Sequence, residues 1–184
     1  PESPTPAAFF PPPPLRATPP PGDGRRRIGI CPGAEYGPAK RWMPERFAET
    51  MKIVDAAGGS PVEWIFFGVK GDAPLGDAIT AAYGGEVTNR IGQTTLGELM
   101  DELAGCERLL TNDTGTMHLA AALGVPVVAI FGSTEPLLTG PLGPGHTVLR
   151  HQVECSPCFQ RECPLDFRCM KAVTAQEAAK ALLE

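Results

Sequence analysis

The stretch Arg108-Leu109-Leu110-Thr111-Asn112-Asp113-Thr114-Gly115-Thr116-Met117-His118-Leu119-Ala120-Ala121-Ala122-Leu123-Gly124-Val125-Pro126-Val127-Val128-Ala129-Ile130-Phe131 reads as strand, loop, helix, turn and strand in immediate succession. Residues 108–111 make a short strand. Residues 114–123, rich in Ala and Leu, make a helix closed by Gly124. Residues 125–131 are apolar without polar alternation, the pattern of a strand covered on both faces.

The same alternation extends outward. Residues 28–31 form an apolar run that ends in Pro32-Gly33, as a buried strand entering a loop does. Residues 45–57 predict a helix with Phe47, Met51 and Val54 on one face, stopped by Gly58-Gly59. Residues 62–67 predict a strand ended by Gly68, and residues 72–83 a helix despite Pro74 and Gly76 near its start. Thr95-Leu96-Gly97-Glu98 has capping-box spacing and opens a helix reaching Ala104; Thr174-Ala175-Gln176-Glu177 opens the last helix in the same way. Short apolar strands alternating with helices predict an α/β fold, a Rossmann-like parallel sheet with helices on both faces, spanning residues 28–184. Residues 1–27 read as a linker or tail. Ten of the 21 prolines lie in the first 21 residues, a composition that favours extended polyproline II. Phe9 and Phe10 within it either pack on a neighbour or are scattered apolar residues.

Composition narrows the function. Sixteen Lys and Arg against 21 Asp and Glu give a net charge of −5, which argues against a nucleic-acid partner. No apolar run approaches the roughly 20 residues of a membrane span, and the start shows no secretory pattern. The chain begins on Pro1 rather than Met, as a processed product or a piece of a longer chain does.

In open parallel sheets ligands bind at the carboxyl ends of the strands. Three loops expected there carry polar chemistry. The first, residues 32–42, holds Lys40 and Arg41, which place positive charge above the sheet; Lys40 suits a phosphate, or the two are a solvated basic pair on a surface turn. The second places Thr114, Gly115 and Thr116 at a helix start, where unpaired N–H groups attract anions. In that loop Asp113 is a helix N-cap or a ligand contact, and His118 a packing residue or a ligand contact. The third, Gly132-Ser133-Thr134-Glu135-Pro136, adds two hydroxyls at the same edge. Neither GxGxxG nor GxxxxGK[ST] is present, so the site is neither the common dinucleotide fingerprint nor a P-loop.

With these residues in view, the chain resembles the C-terminal half of the family 9 glycosyltransferases, and within them the lipopolysaccharide heptosyltransferase II group. Residues 32–42 carry the resemblance most specifically. Residues 112–124, Phe131-Gly132-Ser133-Thr134 and Cys155-Ser156-Pro157-Cys158-Phe159 continue it. The resemblance implies a GT-B architecture in which this chain is the donor-binding domain, the acceptor domain and its catalytic Asp lying on a separate N-terminal half. It implies that ADP-heptose or a related nucleotide sugar is the donor and the lipopolysaccharide inner core the acceptor, reached through that other domain. It further implies inverting transfer with no required cofactor, in the cytoplasm at the inner face of the inner membrane, with peripheral membrane contact through the other domain. Residue by residue, it gives Lys40 the donor diphosphate, and Thr114, Gly115 and Thr116 its phosphates. Asp113 and His118 fall to the sugar and diphosphate, Asp72 to the ribose, and Thr94 to the adenine pocket. At Asp72 the surrounding residues Lys70 and Pro74 depart from the family pattern. No convincing general base is found on this chain, so it is expected to bind a donor and transfer nothing alone.

Six cysteines complete the inventory. Cys31 and Cys106 read as buried thiols. Cys155, Cys158, Cys163 and Cys169 have C-x2-C-x4-C-x5-C spacing, open to a structural zinc, to free thiols or to disulfides. Two rival functions follow: a stand-alone nucleotide-binding module without transfer activity, and a metal- or redox-responsive interaction module built on these four cysteines.

Overall fold

The computed structural model describes residues 24–184. Strands β1 (Arg26–Cys31), β2 (Val62–Phe66), β3 (Thr88–Asn89), β4 (Arg108–Asn112), β5 (Val127–Ile130) and β6 (Thr147–Leu149) form one sheet in the order β3-β2-β1-β4-β5-β6. Every adjacent pair is parallel. The helices are α1 (Pro44–Ala56), α2 (Ala73–Tyr83), α3 (Leu96–Ala104), α4 (Gly115–Ala122), α5 (Pro136–Thr139), α6 (Arg168–Ala172) and α7 (Ala175–Leu183).

Side-chain alternation assigns the two faces. Trp64 and Phe66 point to one face and pack with Ile28, Ile30 and Leu110 against Phe47 and Met51 of α1, Ile79 of α2 and Leu182 of α7. Ile65 and Phe67 point to the other and pack with Leu109, Val127 and Phe131 against Leu103 of α3 and Met117 of α4. Where they are covered on both sides, the central strands have no place for polar alternation, which is why residues 28–31, 64–66 and 127–130 read as short apolar runs. Gly29 is required by this packing: a Cβ there would lie 2.9 Å from both Leu109 Cδ1 and Phe67 Cε2.

The chain runs from β1 outward to β3, returns through α3 to β4 beside β1, and proceeds to β6. The winding therefore reverses between β1 and β4, where the loops leaving these two strands diverge and open a crevice. The expected α/β parallel architecture is the one observed.

Boundaries differ in instructive places. β1 begins at Arg26, so Arg26 and Arg27 belong to the sheet rather than to a tail ending at residue 27. Their charges are held by partners unseen in local sequence: Arg26 donates to Glu107 at 2.9 and 2.8 Å, and Arg27 to Glu63 at 3.0 Å. The proline-rich residues 1–21, with Phe9 and Phe10, lie outside the described residues. Both capping boxes form. Thr95 N–H donates to Glu98 at 2.8 Å, and Thr174 N–H to Glu177 at 2.8 Å. The α4 helix starts at Gly115, with Thr114 at its N-cap position. Strands β3 and β6 and helices α5 and α6 have no counterpart in the sequence reading.

Candidate functional site

The geometry of the crevice begins with Asn112, the last residue of β4 and fully buried. Its Oδ1 accepts from the Trp42 N–H at 3.0 Å, and its Nδ2 donates to the Pro32 carbonyl at 2.7 Å. One amide side chain thus ties both ends of the loop that follows β1 to the end of β4. Trp42 is itself anchored, its indole N–H donating to the Val173 carbonyl at 3.2 Å and its ring meeting Phe47 edge-on at 5.0 Å. Between these anchors, Pro38–Lys40 forms a single 3-10 turn that delivers Lys40 to the mouth of the crevice.

Lys40 Nζ lies 2.5 Å from Asp113 Oδ2, with both side chains largely buried. The same oxygen accepts from Thr134 Oγ1 at 2.7 Å and Thr139 Oγ1 at 3.2 Å. Asp113 therefore gathers all three sequence loops. It is not the N-cap of α4, a position that falls to Thr114 with no side-chain capping bond. An ammonium and two hydroxyls outcompete the N–H groups of α4 for this carboxylate.

On the β2 side of the crevice, Asp72 is 7% exposed and accepts the Val69 N–H at 3.1 Å. Gly33 and Gly68 make room for it: a Cβ on Gly33 would collide with the carboxylate, and one on Gly68 would come within 2.9 Å of Oδ2. A cleft of about 340 Å³ opens here, lined among others by Asp72, Thr94, Thr114, Thr116 and Val69. Cys31 on its wall is a neutral thiol, its pKa pushed up to about 11 by burial.

The predicted site residues thus fall into two adjoining groups. Asp72, Thr94, Thr114 and Thr116 share the cleft, while Lys40 and Asp113 are paired at the β1–β4 reversal. Gly115 opens α4 and faces open space, since a Cβ there would meet nothing within 4 Å. His118 is exposed on the same helix, so it is not a buried packing histidine. Sequence reasoning did not find Asn112 or Thr139. A polar residue ending the apolar run of β4 was the available signal for Asn112, and Thr139 offered none.

The cysteine-bearing segment seals one side of this edge. Cys158 and Phe159 donate their N–H groups to the Ser133 carbonyl at 3.1 and 2.8 Å, and Tyr36 Oη donates to the Phe159 carbonyl at 2.7 Å. The Ala39 N–H donates to the Arg161 carbonyl at 3.0 Å. All four clustered cysteines are free thiols, so the disulfide reading is not met. Cys169 is pushed up first by burial and then by the proximity of Cys155, Cys158 and Cys163. Among the described residues, no three His, Cys, Asp or Glu side chains are grouped to hold a metal ion.

Comparison with known proteins gives these features a context. The family described as Glycosyltransferase family 9 (heptosyltransferase) matches residues 12–168. The chain is 40% identical over 130 residues to lipopolysaccharide heptosyltransferase 2 of Escherichia coli K12, covering 68% of this chain and 36% of that protein. It is 35% identical over 170 residues to lipooligosaccharide heptosyltransferase 2 of Campylobacter jejuni, covering 88% and 52%. The structure of E. coli ADP-heptose lps heptosyltransferase II superposes with a TM-score of 0.75 at 32% identity, over 88% of this chain and 46% of that one. The chain accordingly spans between about a third and a half of the length of these relatives. Because the family match covers most of the residues that build the crevice and its sheet, the protein belongs to glycosyltransferase family 9.

Proposed function

We propose that this chain is the donor-binding domain of a heptosyltransferase, residues 28–184 with the strand start at Arg26, holding ADP-heptose for inverting transfer to the inner core of lipopolysaccharide. The observation that carries the reading is the Lys40–Asp113 pair, set at the reversal of the sheet beside a cleft that Asp72, Thr94, Thr114 and Thr116 line. In this reading Asp72 takes the ribose hydroxyls, Thr94 borders the base, and Lys40 with the first turn of α4 takes the diphosphate. Gly115 lets the phosphates approach that turn closely. Asp113 and His118 face the sugar side.

The chemistry suits these groups. As the bond from the anomeric carbon to the diphosphate oxygen breaks, negative charge accumulates on the leaving ADP. Fixed donors already aimed at it stabilise the transition state more than the ground state. A base for the acceptor hydroxyl belongs, on this proposal, to the acceptor domain of a two-domain GT-B enzyme. That domain would also make the acceptor and membrane-surface contacts, at the inner face of the inner membrane. Among the described residues, no helix is long and apolar enough to cross a membrane.

Titration calorimetry of the chain with ADP and ADP-heptose tests the proposal. Saturable binding of both, weakened about tenfold or more in Lys40→Ala, is expected from the loss of a charge-assisted contact. A folded chain that binds neither overturns it.

A further inference from the structure

The pairing of Lys40 with Asp113 raises a question of charge. An ammonium already matched to a carboxylate at 2.5 Å adds little net positive charge to the crevice. A nucleoside diphosphate brings at least two negative charges. A second cation at this edge, itself unpaired, would balance more of that charge than Lys40 and the first turn of α4 do alone.

Arg41 is such a cation. It follows Lys40 directly and closes the 3-10 turn, its N–H donating to the Pro38 carbonyl at 3.0 Å. Among the described residues no carboxylate forms an ion pair with it; its guanidinium makes one long bond, from Nη2 to the Ala34 carbonyl at 3.3 Å. Its Nε is buried and has no hydrogen-bond partner. A buried N–H of a cation left without an acceptor is costly, and such a group in a native fold calls for a partner. Ala34, which tethers the guanidinium, lines the cleft beside Asp72 and Thr114. Arg150 also has buried N–H groups without acceptors, but its charge is matched by Glu135 at 2.9 Å.

We infer that Arg41 is a second diphosphate-binding cation of the donor site, exchanging its long bond to the Ala34 carbonyl for a forked contact to phosphate oxygen. The planar guanidinium offers two parallel N–H donors, which suits a phosphate better than a carbonyl. Arg41 then holds the diphosphate from the β1 loop while the first turn of α4 holds it from the β4 side. This rests on the nucleotide-sugar reading and extends it to the division of charge within the site: Lys40 is fixed by Asp113, and Arg41 carries the uncompensated charge.

The test compares ADP with adenosine, which lacks the diphosphate, on wild type, Arg41→Gln and Arg41→Met. Wild-type binding of ADP checks the donor reading itself; its absence in a folded chain overturns both. Given that binding, the expected result is a loss of ADP affinity of about tenfold or more in each variant, with adenosine affinity unchanged within about twofold. ADP affinity equal to wild type overturns the role of Arg41 and leaves the donor reading standing. Equal losses for ADP and adenosine also overturn it, showing that Arg41 only supports the loop. A readout on the wild-type chain covers the case in which neither variant folds. The Arg41 Nε–H resonance is expected to shift on addition of ADP and to stay in place with adenosine, and a resonance that ignores ADP overturns the inference.

Discussion

Lys40 Nζ and Asp113 Oδ2 stand 2.5 Å apart across the reversal of the sheet, joining the loop that leaves β1 to the loop that leaves β4. These loops are separated by more than 70 residues of chain and by two complete strand–helix units. The clasp exists because β4 returns to lie beside β1, and Asn112 fixes its span one residue earlier by holding Trp42 and Pro32. Thr134 and Thr139 extend it to the loop after β5. One carboxylate therefore sets the relative position of three elements of the candidate site.

Asp113→Ala should be strongly destabilising. It leaves the Lys40 ammonium largely buried without its counter-charge, a change worth about 3–5 kcal/mol. Replacing both partners, as in Lys40→Met with Asp113→Leu, should cost less than Asp113→Ala alone, because no unmatched charge is left behind. Urea denaturation of the three variants reads both values. A double variant less stable than the single one would show that the clasp is held by more than charge.

Gly115→Val separates binding from folding. A Cβ at Gly115 meets nothing within 4 Å, and valine is no worse than glycine in a helix, so the melting temperature should hold. The side chain should instead occupy the approach to the first turn of α4 and weaken ADP binding. Calorimetry and thermal melting on one preparation check this; a variant that melts far below wild type but binds ADP normally would give Gly115 a structural role.

His146 should make stability pH-dependent near neutrality. Its Nδ1 accepts the Val127 N–H at 3.2 Å and so must be unprotonated, with Nε2 donating to the Leu142 carbonyl at 3.2 Å. Burial holds its pKa below the ordinary 6.5. The unfolded chain then binds the proton more readily than the folded one. The contribution is complete above about 6.5 and is lost as pH falls through the folded value. Denaturation midpoints between pH 8 and pH 5 should decline on acidification, and His146→Gln should flatten that slope. An unchanged slope in the variant assigns the decline to other groups.

How far the sequence leads is clear from individual residues. β5 is apolar and buried throughout, and β1, β2 and β4 each carry a buried apolar stretch behind a half-buried start; these stretches announce the four strands. β3 and β6 are two and three residues long at the sheet edges, too short for a period to show. α5 carries Leu137 and Leu138 into solvent, so no apolar face marks it. Lys40 and Asp113 were each legible as charges in loops at the same edge. Their bond was not, because it depends on which strand lies beside β1, a choice made by the whole sheet. The same holds for Arg26 and Glu107, 81 residues apart, which drew β1 two residues further than its apolar run.

Asn112→Asp offers the sharpest test of how the site is assembled. The substitution keeps the size of the side chain and an acceptor for the Trp42 N–H, but it removes the donor that meets the Pro32 carbonyl at 2.7 Å. At neutral pH two acceptors would then face each other in a fully buried position, one of them charged. Burial and the facing carbonyl both disfavour the carboxylate, so the new acid should titrate above its ordinary value of about 3.9. Its protonated form can donate to Pro32 and restore the missing bond. The folded variant therefore binds a proton that the unfolded chain releases, and its stability should rise as pH falls, opposite in sign to the effect of His146. At pH 8 the expected loss relative to wild type is at least about 3 kcal/mol, the cost of an unmet buried acceptor plus charge. At pH 5 the gap should narrow. Parallel urea titrations of wild type and variant at the two pH values measure the difference directly, and subtracting wild type removes the contribution of His146. A gap that stays constant with pH would mean that the loop after β1 moves away from the new carboxylate. ADP binding should then fail in the variant even where it remains folded, because Lys40 and Arg41 lie on the segment that Asn112 holds.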